Sequence, residues 1–268
     1  MQNKENSRPI GVFDSGVGGL SVLIELKKKL PNENFVFLAD QKYVPYGEKT
    51  KEELVKLVFK ITNYLIEYHN IKMMVVACNT ATCGAIEELR SKYDIHIVGT
   101  VPAVKVAAKK TESGVIACIA TPSTSKSIRL KEIIKENCVG LEVLNIGCKN
   151  LEDTVEHGDI NSLEVNKLLL KYLAKVKNSK TDCLVLGCTH YPFLKKPIRE
   201  ILGSKVKLID SGKAIARRTK SLLETHNIKK GHKKKGTSIY FTTGDAMQFS
   251  KVSSKLMKEN IIAQNVKL

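Results

Sequence analysis

Short apolar, β-branched runs alternate with amphipathic stretches along nearly the whole chain, and this alternation limits the possible folds more than any other feature. Helix-period stretches separate the runs; in residues 52–68, for example, apolar side chains recur every three or four positions. Strands that alternate with helices predict βα units, and therefore an α/β fold with mainly parallel sheets. Strands are expected at residues 10–14, 35–40, 73–78, 95–99, 115–120, 141–146, 183–187, 206–210 and 238–243.

Two pairs of local segments are alike. MMVVACNTAT, from Met73, and CLVLGCTHYP, from Cys183, each contain an apolar strand that ends at a cysteine and leads into a helix. The tripeptide Asp-Ser-Gly closes a strand at residue 14 and again at residue 210. No linker rich in Pro, Gly or Ser divides the chain. The repeats therefore predict two related α/β halves with pseudo-two-fold symmetry, packed closely together.

The charge is strongly basic, with 44 Lys and Arg against 27 acidic residues and a net charge of +17. Such a balance is typical either of a nucleic-acid binder or of a lysine-rich solvated surface. The one dense cluster, residues 229–235, contains no aromatic residue for base stacking, and no nucleic-acid-binding motif accompanies it. We therefore interpret the charge as surface and expect no nucleic-acid partner. Binding through residues 229–235 stays open as a secondary activity.

Seven cysteines are scattered along the chain, an odd number with no CxxC pair and no Cys/His ligand spacing. This argues against a zinc site and against a disulfide framework, and favours the reducing cytoplasm. The first nine residues are polar with no apolar region behind them, so no signal peptide is expected. No apolar run approaches the ~18 residues that span a bilayer, so no membrane association is expected.

Reactive side chains are expected at the carboxyl ends of the strands, where open parallel sheets bind their ligands. Asp14, Asp40, Cys78 and Cys188 occupy such ends. A thiol just before a helix experiences the positive end of the helix dipole, which favours the thiolate. A thiolate and a thiol on opposite faces of a carbon acid can remove and return the α-proton from opposite sides. The remaining cysteines are interpreted as packing residues: Cys83, Cys118, Cys138, Cys148 and Cys183.

His190 and a glycine-rich loop stand next to these candidates. His190 follows Cys188 by two residues, which favours an acid–base or thiolate-orienting role. The glycines at 16, 18 and 19 permit a tight turn and close approach of the backbone to a ligand. The loop matches neither a Walker A motif nor a dinucleotide fingerprint, and its N–H groups at a helix start suit a carboxylate.

Six strings occur in a fixed order and spacing between Pro9 and Ile261: FDSGVGGLSVL, ADQKYVPYGEKT, ACNTAT, GTVPAV, GCTHYPFL and YFTTGD. Together they resemble the glutamate racemases. The resemblance implies a cofactor-independent, metal-free isomerase that interconverts L- and D-glutamate in the cytoplasm and supplies D-glutamate for peptidoglycan. It also implies a homodimer of chains with two three-layer α/β domains, residues 1–98 plus 210–268 and residues 99–209, and an active site in the cleft between them.

The same resemblance implies roles for individual residues. Cys78 would deprotonate D-glutamate with help from Asp14, and Cys188 would deprotonate L-glutamate with help from His190. Further acidic residues of the family's site match Asp40 and Glu156. The positions that match substrate-binding residues are Asp14, Ser15, Tyr46, Gly47, Asn79, Thr80, Thr121, Thr189 and His190.

Other enzyme classes stay open at this point. Racemases for aspartate or hydantoins share the paired cysteines, although the Pro45-Tyr46-Gly47 and CTHYP segments favour glutamate. A thiol hydrolase is a further alternative, weakened because the motif of Cys78 contains no histidine. The chain begins close to its first motif, so activation by a peptidoglycan precursor is not expected.

Overall fold

The structure is a computed structural model, and it describes residues 7–231 and 234–268. Within these residues the strands are β1 (Ile10–Asp14), β2 (Phe35–Ala39), β3 (Met73–Val76), β4 (His96–Gly99), β5 (Val115–Ala120), β6 (Glu142–Gly147), β7 (Cys183–Leu186), β8 (Lys207–Ile209), β9 (Ser238–Thr242) and β10 (Ala263–Asn265). They form one six-stranded sheet, ordered β10-β9-β2-β1-β3-β4, and one four-stranded sheet, ordered β6-β5-β7-β8. Every pairing is parallel.

The helices in the described ranges are α1 (Leu20–Lys29), α2 (Lys51–His69), α3 (Asn79–Lys92), α4 (Val104–Ala108), α5 (Pro122–Lys126), α6 (Ile128–Asn137), α7 (Leu151–Glu156), α8 (Leu163–Lys177), α9 (Lys195–Leu202), α10 (Gly212–Thr225) and α11 (Ala246–Met257). Short 3₁₀ turns are found at Val17–Gly19, Gln41–Tyr43, Tyr46–Glu48 and Tyr191–Leu194. None of these helices has the length and apolar character needed to cross a membrane.

Local sequence explains the main elements. The central strands β1, β2, β3, β5 and β7 are buried along their whole length, which is why they appear as continuous apolar runs. Helix α2 begins at a reciprocal capping box between Thr50 and Glu53, and Asn70 ends it in the left-handed conformation. Its apolar face packs on the six-stranded sheet. The predicted α/β fold with mainly parallel sheets is confirmed.

The strand order repeats within the chain. In the first sheet β2-β1-β3-β4 are neighbours, and in the second β6-β5-β7-β8, so each follows the order second, first, third, fourth. Strands β3 and β7 are therefore equivalent, and so are the two cysteines that follow them. The Asp-Ser-Gly repeat was wrong as a sign of symmetry, because Asp14 ends the first strand of its sheet whereas Asp210 follows the fourth.

All seven cysteines are free thiols. Cys118, Cys138, Cys148 and Cys183 are buried, as their interpretation as packing residues requires, whereas Cys83 is only partly buried. Burial raises the pKa of Cys118 to about 12, so this thiol stays protonated and behaves as a small apolar side chain.

Candidate active site

A small cavity lies where the carboxyl ends of strands from both sheets meet. The centre of a water molecule can occupy about 20 Å³ of this cavity. The loops after β1, β2 and β3 form one side, and the loops after β5 and β7, together with helix α7, form the other. Its walls consist of Ser15, Val44, Pro45, Tyr46, Gly47, Cys78, Asn79, Thr80, Thr121, Glu152, Gly187, Cys188, Thr189 and His190.

Cys78 follows β3 directly and is the N-cap residue of helix α3. Its sulfur accepts the N–H of Ala81 at 3.4 Å, and Ser15 Oγ lies 3.7 Å away. Burial raises the pKa of Cys78 far above its ordinary value, and the charge of Asp14 raises it further. The two hydrogen-bonding groups oppose this rise, because they stabilise the thiolate.

Cys188 belongs to a chain of three ionisable side chains. Its Sγ lies 3.4 Å from Nδ1 of His190, and the opposite ring nitrogen lies 2.6 Å from Oε1 of Glu156. Burial lowers the pKa of His190, but contacts with Cys188 and Glu156 overcome this and hold that pKa well above its ordinary value. Burial raises the pKa of Cys188, and the positive His190 beside it counteracts the rise. The arrangement therefore favours an imidazolium next to the thiol.

Glu156 is fixed by further contacts from the opposite half of the site. Its Oε1 also accepts the N–H of Val17 at 2.7 Å, and its Oε2 accepts Nε2 of Gln41 at 2.8 Å. Although burial opposes it, the hydrogen bond and charge of His190 keep the pKa of Glu156 below its usual value. Glu156 thus remains ionised and holds the imidazole ring in place.

The glycine-rich loop passes very close to this chain. A Cβ atom on Gly16 would collide with the carboxylate of Glu156, and one on Gly18 would lie 2.5 Å from Nδ1 of His190. Only glycine permits this approach, because any side chain would displace the His190 ring or its anchor. The close contacts with Glu156 and His190 therefore require glycine at positions 16 and 18 of this loop.

Asp14 is fully buried and does not line the cavity. Its Oδ2 accepts the N–H of Gly19 at 2.6 Å, and Thr189 Oγ1 lies 3.4 Å from both carboxylate oxygens. Burial raises the pKa of Asp14 to about 6, against the lowering effects of His190 and of backbone N–H groups. Its charge can therefore change near neutral pH, and with it the acidity of Cys78.

Two hydroxyl contacts fix the remaining wall. Tyr46 donates a 2.6 Å hydrogen bond to Asp40, whose other oxygen accepts Thr243 Oγ1 at 2.8 Å. This pair holds the loop after β2 over the cavity. Across the cleft, the Oγ1 atoms of Thr80 and Thr121 lie 3.1 Å apart, so they join loops of the two sheets.

A family model described as Asp/Glu/hydantoin racemase matches residues 26–219. The chain belongs to the Asp/Glu/hydantoin racemase family. A glutamate racemase from Clostridium botulinum is 37% identical over 257 residues, which cover 96% of this chain and 99% of the relative.

Solved structures of family members have the same fold. Glutamate racemase isoform RacE1 from Bacillus anthracis superposes with a TM-score of 0.88 at 31% identity, covering 97% of both chains. The Escherichia coli glutamate racemase, solved with L-glutamate and the activator UDP-MurNAc-ala, superposes with a TM-score of 0.83 at 33% identity. That match covers 93% of this chain and 95% of the other.

The structure brings most of the predicted site residues together. Among the predicted substrate-binding positions all except Asp14 line the cavity, and Asp40 and Glu156 lie behind its walls. Sequence reasoning missed four lining residues: Val44, Pro45, Glu152 and Gly187. Val44, Pro45 and Gly187 lie within recognised motifs, whereas Glu152 follows a stretch, residues 148–151, that carries no motif and gave no signal.

The basic cluster at 229–235 lies far along the chain from these residues. Lys229 pairs with Glu224 at 3.3 Å, and Lys230 Nζ donates to Asn34 Oδ1 at 3.0 Å. His232 and Lys233 lie outside the described residues. Within the part of the chain that is described, no three His, Cys, Asp or Glu side chains are grouped as metal ligands.

Proposed function

We propose that this chain is a cofactor-independent glutamate racemase that uses Cys78 and Cys188 as its two proton-transfer groups. The observation that carries the proposal is their position. Both thiols reach one cavity, and they come from equivalent strands of two sheets with the same strand order. The relatives described above are glutamate racemases, which supports glutamate over aspartate or a hydantoin as the substrate.

The proposed reaction moves one proton on each face of the α-carbon. With L-glutamate bound, the Cys188 thiolate takes the α-proton and the bonding electron pair stays on the carbon. The Cys78 thiol then donates its proton to the opposite face, which gives D-glutamate, a Cys188 thiol and a Cys78 thiolate. The reverse reaction starts from this second protonation state, so each turnover exchanges the states of the two cysteines.

Neighbouring groups support each half of this reaction. The His190 imidazolium, held by Glu156, stabilises the Cys188 thiolate. The N–H of Ala81 does the same for Cys78, and loss of the Asp14 charge would make that thiol more acidic. Hydroxyl and amide groups of the cavity wall are suited to hold the substrate carboxylates and to stabilise charge on the carbanion.

The deciding experiment is chiral analysis of glutamate incubated with the protein in deuterated water, with no added cofactor, beside aspartate and a hydantoin. Racemisation of glutamate with deuterium at the α-carbon is expected. Cys78→Ala and Cys188→Ala should both abolish racemisation, while the first retains exchange with L-glutamate and the second with D-glutamate. Cys83→Ala serves as the control. Normal racemisation by both single variants would overturn the mechanism.

The cellular setting belongs to the same proposal. We place the enzyme in the cytoplasm, where seven free thiols stay reduced, and assign it to D-glutamate supply for peptidoglycan. The domain division at residues 1–98 plus 210–268 and 99–209 is supported by the sheets, since β1–β4, β9 and β10 form one and β5–β8 the other. A homodimer is proposed from the family resemblance and is tested by sedimentation.

A further inference from the structure

Glu152, which lies in the first turn of helix α7, lines the cavity and has a carboxylate oxygen without a hydrogen-bond partner. Its side chain lines the cavity although the residue is only 7% exposed. Its Oε2 atom is buried and has no hydrogen-bond partner. An unsatisfied buried carboxylate oxygen is expensive, because water no longer solvates it. Such an atom at a ligand cavity indicates that the ligand supplies its partner.

The other carboxylates around the site are already satisfied. Asp14 accepts Gly19 and Thr189, and Asp40 accepts Tyr46 and Thr243. The oxygens of Glu156 are taken by Val17, Gln41 and His190. Among these four acidic side chains of the described residues, Glu152 alone lines the cavity and has an oxygen without a hydrogen-bond partner.

An amino-acid substrate brings a group that needs such an acceptor. Its two carboxylates match the hydroxyl and amide donors of the walls, whereas its α-ammonium has three N–H donors and a positive charge. Asn79 Oδ1 is also unpartnered in the wall, but it is neutral. A carboxylate is the stronger partner, since hydrogen bonds between charged groups are roughly twice as strong as neutral ones.

We propose that Glu152 is a specificity-determining residue that accepts a hydrogen bond from the α-ammonium group of the substrate. It thereby selects amino acids against dicarboxylates of the same length that lack the amino group. This inference rests on the proposed function, because it assigns one group of the substrate to one atom of the same cavity.

The charges around Glu152 give the assignment a pH dependence. His190 faces it with a positive charge, while Asp153, Glu48 and the thiols of Cys188 and Cys148 are potential negative neighbours. Burial raises the pKa of Glu152, which its own backbone N–H and His190 counteract. The ammonium binds the ionised form, so affinity for glutamate should fall as the pH falls through this pKa. The affinity for a dicarboxylate without an amino group should not fall as Glu152 becomes protonated.

The test compares D-glutamate with glutarate, which has the same two carboxylates and no amino group. Glu152→Gln keeps the shape of the side chain and removes its charge. We expect the KM and the calorimetric Kd for D-glutamate to rise about tenfold or more. The Kd for glutarate should stay unchanged or fall, because a like charge is removed. Glu152→Asp should recover part of the loss. Asp153→Asn, which removes a charge from the same helix outside the cavity, should bind both ligands at neutral pH as the wild type does.

Two results would overturn the inference: equal weakening of both ligands by Glu152→Gln, or no change for either. Failure of the proposed function is a separate outcome, seen when the unmodified protein does not racemise glutamate. A protein that racemises glutamate while Glu152→Gln fails to discriminate between the two ligands would leave the function intact and remove Glu152 from its specificity.

Discussion

At the scale of single residues, the two thiols share a cavity but have different neighbours. Cys78 is stabilised by an N–H at a helix start and a serine hydroxyl, and Cys188 by an imidazolium. The two glutamate enantiomers have equal free energy, so kcat/KM must be the same in both directions for any variant. Differences between the two cysteines therefore appear in the separate kcat and KM values, in pH profiles and in isotope exchange.

Gly18→Ala should disable the Cys188 side of the site. The new Cβ would lie 2.5 Å from His190 Nδ1, and Glu156 on the other side of the ring prevents it from moving away. Displacing a reacting group by about 1 Å costs on the order of 100-fold in rate, so we expect a loss of that size in kcat/KM. The measurement is steady-state racemisation at several pH values.

Gly84→Ala is the matched control for this change. Its Cβ would meet the flexible end of Leu54 at 2.7 Å, and it lies in helix α3, where alanine is preferred over glycine. This variant should retain near-normal activity and stability. Equal losses in the two variants would show that Gly18 has no particular relation to the imidazole.

At the scale of elements, helix α7 joins the two halves of the site. Its Glu152 and Glu156 are four residues apart, so they project from the same face, one towards the cavity and one towards His190. Contacts of Glu156 with Val17 and Gln41 tie this helix to loops of the six-stranded sheet.

Glu156→Gln should change the pH profile of kcat/KM, with little change in the structure. Glu156 helps to raise the pKa of His190, so its neutralisation lowers that pKa and weakens the positive charge beside Cys188. The pKa of Cys188 then rises, and the acidic limb of kcat/KM moves to higher pH. If the limb moves up by one pH unit, kcat/KM at a pH below the limb should fall about tenfold. An unmoved limb would contradict this role, and Asp153→Asn provides the control.

The elements also show where sequence reasoning is sufficient. The nine expected strands are present with small differences at their ends. The central ones are predictable because buried parallel strands have continuous apolar runs. Strand β10 was missed, since it is short and Gln264 and Asn265 are polar and exposed. Glu152 was missed for a different reason. Its direction depends on how α7 packs against the sheets, which no local pattern in residues 148–156 records.

At the scale of the whole molecule, repeated topology explains why one cavity has two similar thiols. Two sheets with the same strand order present equivalent carboxyl ends to each other, and each contributes a cysteine followed by a turn of helix. The sequence predicted this from the two cysteine segments. It could not predict contacts across the cleft, such as Thr80 with Thr121, because these depend on how the halves pack.

Substrate should protect loops of both sheets at once. The cavity has about 20 Å³ for water centres, room for one or two waters, so we expect the cleft to open to admit glutamate and to close around it. Amide hydrogen exchange with D-glutamate at about 100 times its Kd should slow up to about a hundredfold in residues 15–19, 78–82, 121–125 and 187–191. Residues 33–35 and 112–114, at the opposite ends of the strands, should exchange as before. Glycine at the same concentration is the control ligand, and protection limited to the loops of one sheet would contradict a site shared by both.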